Sequence, residues 1–388
     1  MAPTADQVRQ ADGPLRVCLV SHFARPSTGG VETYTDGLAR YLAARGHRVV
    51  VLTATPGNLG DGTYEIARRP ATLRLLRIFW GSDVIQFNSL NPFLFALARV
   101  LGKPTIDVHH DFHAICPIGT AWWRGRACAF DPRLCGHHLA EERGIRGVIR
   151  PVVAFLARRL ATRQADANVV MSGYAIRRLR VQRVLRIPNG IEPPDRRDLD
   201  PAERRNARDF LFVGRLVPGK GIDVLLRAFR RLAADDPDPR VIICGSGPDE
   251  KELRELAAEL DLEDRVSFIG NRSPAEVRQL MSGALALVVP SLADETGPIV
   301  VPEAFSVGTP VIAADAGGLG EVTGKGGLVF ERGNASELAA LMAEMVRRPQ
   351  LRQELSAGGR RSFDSTFSLE VMGAAYLSLY RQLVARPS

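Results

Sequence analysis

The stretch Leu285-Ala-Leu-Val-Val-Pro-Ser-Leu-Ala-Asp-Glu295-Thr-Gly-Pro-Ile-Val-Val-Pro-Glu303-Ala-Phe-Ser-Val-Gly308-Thr-Pro-Val-Ile-Ala-Ala-Asp315 reads as strand, turn, helix, strand. Leu285–Val289 and Val311–Ala314 are short apolar runs of strand length. Between them Pro302 suits the first position of a helix, where its missing N–H is not needed. That puts Glu303 in the first helical turn and Glu295 before the turn. A helix N-terminus can hold phosphates, and a carboxylate beside it can hold sugar hydroxyls.

The same alternation runs outward in both directions. Toward the N-terminus, Leu15–Val20, Arg48–Thr53, Asp83–Phe87, Thr105–Val108, Ala167–Met171 and Val184–Ile187 read as strands. Val31–Arg45, Pro92–Leu101 and Ile145–Arg163 read as helices between them. The segment 191–208 is rich in Pro, Asp and Arg, has no apolar period and reads as a linker. Beyond it Asp209–Val213, Val241–Cys244, Val266–Ile269 and Leu328–Phe330 are further strands. Ile222–Ala233, Glu250–Leu260, Pro274–Met281 and Ser336–Val346 are helices. Strands alternating with helices imply parallel sheets covered on both faces. Two such runs predict an α/β chain of two doubly wound domains with a cleft between them, and ligands beyond the carboxyl ends of the strands. The expected division is a leader (1–14), a first domain (15–190), the linker (191–208), a second domain (209–367) and a terminal helix (368–388) crossing back to the first.

A length of 388 residues suits two domains. Apolar residues make up 45% and charged residues 24%, the balance of a water-soluble globular chain. No apolar run approaches the roughly 18 residues of a membrane span. The first fourteen residues lack an apolar signal core, so a cytoplasmic location is expected. Five cysteines at irregular spacings argue against a disulfide scaffold. Residues 1–200 carry 28 basic and 17 acidic side chains, against 23 and 26 in the remainder. The first half is therefore built to meet something anionic, but no nucleic-acid motif accompanies the charge, and nucleic acid is not an expected partner.

Three further motifs carry chemistry. Gly29-Gly30 stands where a helix begins after the first strand, and lets backbone approach a ligand closely. Gly214-Arg215-Leu-Val-Pro-Gly-Lys220-Gly221 follows a strand, with a guanidinium and an ammonium flanking a turn, a pair able to clamp a diphosphate. It is not a Walker loop, because Gly221 stands where that loop needs Ser or Thr. Gly245-Ser-Gly247-Pro lacks the third glycine and the acidic residue of a dinucleotide fingerprint and reads as a tight turn.

In this order and spacing, Gly29-Gly30, His110-Asp111, Pro188-Asn189-Gly190, Gly214-Arg215 with Lys220-Gly221, Glu295 to Glu303 and Gly308-Thr-Pro-Val resemble family 4 of the glycosyltransferases. The resemblance implies the two-domain GT-B fold and retaining transfer of a hexose-type sugar from a nucleoside diphosphate sugar to an acceptor hydroxyl. It implies that Arg215 and Lys220 neutralise the diphosphate, where charge builds as the glycosidic bond breaks. Backbone N–H groups near Ile299 and Val300 would bind the same phosphates. Glu303 would take the ribose hydroxyls and Glu295 the sugar hydroxyls. Gly29-Gly30 would approach phosphate and acceptor from the first domain, and His110 would stand near the reacting centre, with its neighbour His109 the lesser candidate for that place or else a core histidine. No bound metal or cofactor is expected, since the basic pair supplies the charge.

Two features depart from the family pattern. Gly297 stands where the family often carries an aromatic. The segment from Cys116 to His138 resembles an insertion on the acceptor side; its Trp122-Trp123 pair suits an acceptor, a membrane surface or a core. Cys116, Cys128, Cys135 and His138 could ligate zinc, against the readings of a redox-sensitive pair or plain free thiols. The acceptor is open among a glycan, a lipid-linked compound and a small molecule. The settings are cell-envelope or exopolysaccharide assembly, glycolipid assembly or natural-product glycosylation. Arg143, Arg146, Arg150, Arg158, Arg159 and Arg163 on an amphipathic helix would suit an anionic membrane, placing the chain peripherally on its inner face; the alternative is a buried helix with an arginine-rich solvent face. The rival functions are a sugar-nucleotide epimerase of the same fold and a catalytically silent nucleotide-sugar-binding homologue.

Overall fold

The computed structural model describes residues 13–385, apart from 28, 58–61, 121, 124–125, 128–131, 195–207 and 236–237. Most of the expected leader and linker thus lies outside the described residues. The chain forms two compact units. The first comprises Met1–Thr120, Phe130–Glu192 and Ser368–Ser388; the second comprises Ala121–Ala129 and Pro193–Phe367.

The first unit runs β1 (Arg16–Ser21), α1 (Gly30–Ala44), β2 (Arg48–Thr53), β3 (Glu65–Arg68), α2 (Thr72–Gly81), β4 (Val84–Phe87), α3 (Pro92–Val100) and β5 (Thr105–Val108). In chain order a small antiparallel hairpin of β6 (Trp122–Trp123) and β7 (Arg126–Ala127) follows, which clusters with the second unit. Next come α4 (Pro132–Gln164), β8 (Ala167–Val170), α5 (Gly173–Leu179) and β9 (Val184–Arg186). The seven main strands form a parallel sheet in the order β3-β2-β1-β4-β5-β8-β9. Side chains alternate across it, as strand geometry demands. Val17 and Leu19 enter one core with Tyr34 and Leu38 of α1. Cys18 and Val20 enter the other with Phe79 of α2, Phe95 of α3 and Ala161 of α4. Helix α4 is longer than the expected Ile145–Arg163 and is broken at Gly144, whose φ of 68° is not helical.

The second unit runs β10 (Asp209–Val213), α6 (Ile222–Asp235), β11 (Arg240–Cys244), α7 (Glu250–Glu259), β12 (Val266–Gly270), α8 (Pro274–Gly283), β13 (Ala286–Val289) and α9 (Val300–Val307). It continues through β14 (Val311–Ala314), α10 (Leu319–Thr323), β15 (Gly327–Phe330), α11 (Ala335–Arg347) and α12 (Pro349–Ser362). Its parallel sheet has the order β12-β11-β10-β13-β14-β15. The order in which successive strands are added reverses between β10 and β13, and likewise between β1 and β4 in the first unit. Such switch points open a crevice at the carboxyl ends of the strands.

Helix α13 (Leu369–Val384) belongs to the first unit. Met372, Tyr376, Leu379, Tyr380 and Leu383 follow a helical period and fill the core beside α1. Tyr380 also donates to Gln86 Oε1 of β4 at 2.6 Å.

The hairpin carrying Trp122 and Trp123, part of the segment read as an insertion on the acceptor side, clusters with the second unit. A Cβ added at Gly219 would lie 3.7 Å from the Trp122 ring. The zinc reading is not supported: among the described residues no group of three or more His, Cys, Asp or Glu could hold a metal ion. Cys116 and Cys135 are buried free thiols, and Cys128 lies outside the described residues. Among the described residues no helix is long and apolar enough to cross a membrane.

Candidate active site

Lys220 and Glu295 meet at the switch point of the second unit. Lys220 ends the turn after β10, Glu295 lies in the loop after β13, and these strands are neighbours. Nζ of Lys220 stands 2.7 Å from Oε1 of Glu295, which also accepts from Ser291 Oγ at 2.8 Å. Burial alone would push the Glu295 carboxyl up. The Lys220 charge and the hydrogen bonds from Lys220 and Ser291 outweigh it and hold the group below its ordinary range.

Backbone contacts fix this geometry. Leu292 and Ala293 both donate N–H to Gly219 O at 2.9 Å, tying the two loops together. Gly221 has φ 65°, and a Cβ there would sit 2.1 Å from Pro290 O, so only glycine lets the loops approach this closely. On the other side Gly318 N–H donates to Glu295 O at 2.7 Å, and Gly317, φ 67°, leaves no room for a side chain against Glu295. Arg332 pairs with Asp294 at 2.6 Å and donates to Leu292 O, bracing the loop from beneath.

Helix α9 opens directly after this loop, with Ile299 as its cap. Pro302 is therefore the third helical residue and not the first. It is tolerated because an N–H in the opening turn has no intrahelical acceptor to lose. The first intrahelical donor after it is Glu303, whose N–H meets Ile299 O at 3.1 Å. Ile299 and Val300 thus lie in the turn whose N–H groups point out of the helix end. Burial pushes the Glu303 carboxyl up to about 7, with the Arg278 charge partly opposing it. Arg215, two residues past β10, is exposed. Gly245 and Gly247 shape the turn after β11, where a Cβ at Gly247 would lie 2.1 Å from Leu216 O, so this is a tight turn against its neighbour.

In the first unit a pocket of about 710 Å³ opens at the carboxyl ends of the strands, lined by Ser21, His22, Asn88, His109, His110 and Asp111 among others. His110 packs edge-on against Tyr34, with ring centroids 4.6 Å apart. Burial lowers its pKa to about 4, against the pull of Asp111 and with help from His109, so the ring is neutral at pH 7. Tyr34 is itself held by Gln86, which donates to its hydroxyl at 3.0 Å. His109 points into the fold, 2.9 Å from Asn168 Oδ1 and 3.6 Å from Asp107, and is a core histidine. Gly29 caps α1 and Gly30 begins it. Glu32 stands in that first turn and accepts from Ser27 Oγ at 2.9 Å.

A second pocket of about 780 Å³ lies by Arg208, Asp209 and Arg240, at the amino ends of β10 and β11. It carries none of the candidate residues. Ser291, Arg332, Tyr34 and Gln86 were not singled out by sequence. Only Ser291, directly beyond a strand, left a positional signal.

Models of two glycosyltransferase families match the chain. Glycosyltransferase Family 4 covers residues 28–194, and Glycosyl transferases group 1 covers residues 195–362. The chain belongs to the family 4 glycosyltransferases. It is 27% identical over 318 residues to one component of the human phosphatidylinositol N-acetylglucosaminyltransferase, over 79% of this chain and 63% of that one, so it spans less than two thirds of the human relative. It is 26% identical to a GDP-mannose-dependent monoacylated alpha-(1-6)-phosphatidylinositol monomannoside mannosyltransferase of Corynebacterium glutamicum, over 92% of this chain and 96% of that one. The Anabaena HepE structure in complex with UDP superimposes with a TM-score of 0.72 at 19% identity, covering 95% of this chain and 100% of that one, which is a likeness of fold. The two parallel-sheet units are those of the GT-B fold, and the protein is a glycosyltransferase.

Proposed function

We propose that this glycosyltransferase moves a hexose-type sugar, with retention, from a nucleoside diphosphate sugar to the hydroxyl of a lipid-linked acceptor in glycolipid or cell-envelope glycan assembly. The observation that carries this reading is the Lys220–Glu295 pair at the strand switch point, directly before the opening turn of α9. The second unit holds the donor. Arg215 and Lys220 face the diphosphate, and the N–H groups of Ile299 and Val300 donate to it. Glu303 takes the ribose hydroxyls and Glu295 the sugar hydroxyls. As the glycosidic bond breaks, negative charge grows on the diphosphate, and preplaced positive groups lower that barrier. The phosphate oxygen that departs is then placed to take the acceptor proton while the acceptor attacks the same face of the sugar.

The first unit holds the acceptor in the pocket beside His110, and the exposed Gly29-Gly30 turn approaches the phosphate and the acceptor. A neutral imidazole there accepts or donates one hydrogen bond without competing for the phosphates. The lipid-linked acceptor is supported by the names of the relatives from human and Corynebacterium, both of which refer to phosphatidylinositol compounds. We place the protein peripherally on the inner face of the membrane.

The test is a donor screen by thermal shift with UDP, GDP, ADP and dTDP sugars, since a ligand of the folded form raises stability by mass action. One nucleotide should raise Tm, and Lys220→Ala and Glu303→Ala should abolish the shift and the transfer together. Unchanged transfer in both variants overturns the site. Turnover of donor without any acceptor, with the sugar still on its nucleotide, would favour an epimerase.

A further inference from the structure

Helices α2, α3 and α4 cross the same face of the first sheet, sending Phe79, Phe95 and Ala161 down into one core. Each also carries a second apolar stripe on its outer side. Leu73 and Trp80 of α2 are 71% and 70% exposed, and Phe93 and Val100 of α3 are 86% and 83% exposed. On α4, Ile149, Val153, Leu156 and Leu160 are all more than half exposed. The spacings are seven residues on α2 and α3, and four, three and four on α4, so each set forms a single line along its helix. A lone exposed apolar residue is ordinary; eight on three helices of one sheet face are a surface built for contact.

The charges on these helices select the partner. Residues 72–81, 92–100 and, after the break in α4 at Gly144, 145–164 contain eight arginines and no acidic residue; Glu141 and Glu142 of α4 lie before that break. Arg74 and Arg99 find acids elsewhere, in Glu65 and Asp166. Arg77, Arg159 and Arg163 are exposed. Apolar lines among cations match the boundary of an anionic bilayer, where apolar groups enter the acyl region and guanidinium groups meet phosphate. A second copy of the chain would bring arginines against arginines. A nucleic acid would satisfy the charge and leave eight apolar side chains in water.

We propose that the outer face of α2, α3 and α4 seats the protein on an anionic phospholipid surface, with Trp80, Phe93 and Leu156 entering the boundary. This deepens the reading of a lipid-linked acceptor, but docking does not require the transfer chemistry.

The test uses the full chain with vesicles of phosphatidylcholine alone and with about one third phosphatidylglycerol. The chain should sediment with the anionic vesicles at low salt and be released at high salt. Trp80 emission should shift to the blue on binding, and the shift should vanish in Trp80→Phe. The double variant Phe93→Ser/Leu156→Ser, whose sites are exposed, should bind at least about tenfold more weakly with unchanged Tm. Arg159→Glu/Arg163→Glu should lose the preference for anionic vesicles. Absence of sedimentation with anionic vesicles, or full binding by the double variant, overturns the proposal. So does a dimer in solution that the double variant dissociates. The donor-induced Tm shift, measured on the same variants, should persist, so a failure of docking is distinguishable from a failure of the donor site.

Discussion

Lys220 Nζ lies 2.7 Å from Glu295 Oε1, so the ammonium proposed for the diphosphate is already held by the carboxylate proposed for the sugar. The contact orients the two groups toward one another. Lys220→Met should lower kcat/KM about 10²–10³-fold. It should also change acid stability. The Glu295 carboxyl is depressed below its ordinary 4.5, so its contribution is present above that value and is lost as pH falls through the folded one. In Lys220→Met only burial and the Ser291 hydrogen bond remain, and the stability gained between acid and neutral pH should shrink. Urea unfolding from pH 3 to pH 7 measures this.

Glu303 behaves in the opposite sense. Its carboxyl is raised to about 7, so the folded state resists ionisation. Between about 4.5 and 7 the unfolded chain releases this proton and the folded chain keeps it, which costs stability as pH rises. Glu303→Gln should therefore be more stable than the parent at pH 8 by about 1–3 kcal/mol, and equal to it near pH 4. The same variant should bind nucleotide more weakly, because ribose hydroxyls donate best to an ionised carboxylate. Calorimetric titration across pH 6–8 should show parental affinity rising with pH and a flat response in Glu303→Gln.

His110 is neutral in the folded protein, with its pKa lowered to about 4. Activity should show no ionisation of this ring between pH 5.5 and 8. Stability should fall as pH drops below the ordinary 6.5 toward 4, because the unfolded chain gains a proton that the folded chain refuses. In His110→Phe this acid loss should be reduced, while kcat falls about 10²-fold. The paired readouts separate chemistry from packing against Tyr34.

Gly221→Ala forces a side chain into a left-handed backbone position and against Pro290 O. It should destabilise the second unit by about 1–3 kcal/mol. It should also raise the donor KM by displacing Lys220, whereas Gly270→Ala, also at positive φ but with open space around it, should cost stability and leave KM unchanged.

The sheets were legible because buried parallel strands are continuous apolar runs, as in Val-Ile-Ala-Ala of β14. Strand β3, Glu-Ile-Ala-Arg, was missed because four residues with charged ends look like loop. Helix α2 was missed because no side chain caps its start and it runs only ten residues. Pro302 was misplaced by two positions, since any residue in an opening turn tolerates a lost N–H. Of the candidate residues, Arg215, Lys220, Glu295 and Glu303 can be picked out in the sequence as residue types beside turns. That Lys220 would pair with a carboxylate 75 positions away was not, because strand order, which brings β10 beside β13, is a tertiary property. Gln86 behind Tyr34 was invisible for the same reason: it is a buried polar side chain within a strand.

Helix α13 has a consequence for the order of events during synthesis. Tyr41 donates to Glu370 across 329 positions, and Tyr380 to Gln86 across 294. A ribosome therefore releases the whole second unit before the first can close its hydrophobic centre. Until then the part of this core that α13 covers stays open, although Tyr34 and Leu38 also share it with Val17 and Leu19 of β1. Loop closure over such a span is slow, and exposed apolar surface invites aggregation meanwhile. The nascent chain should mature from the middle outward, with the unit made second becoming native first.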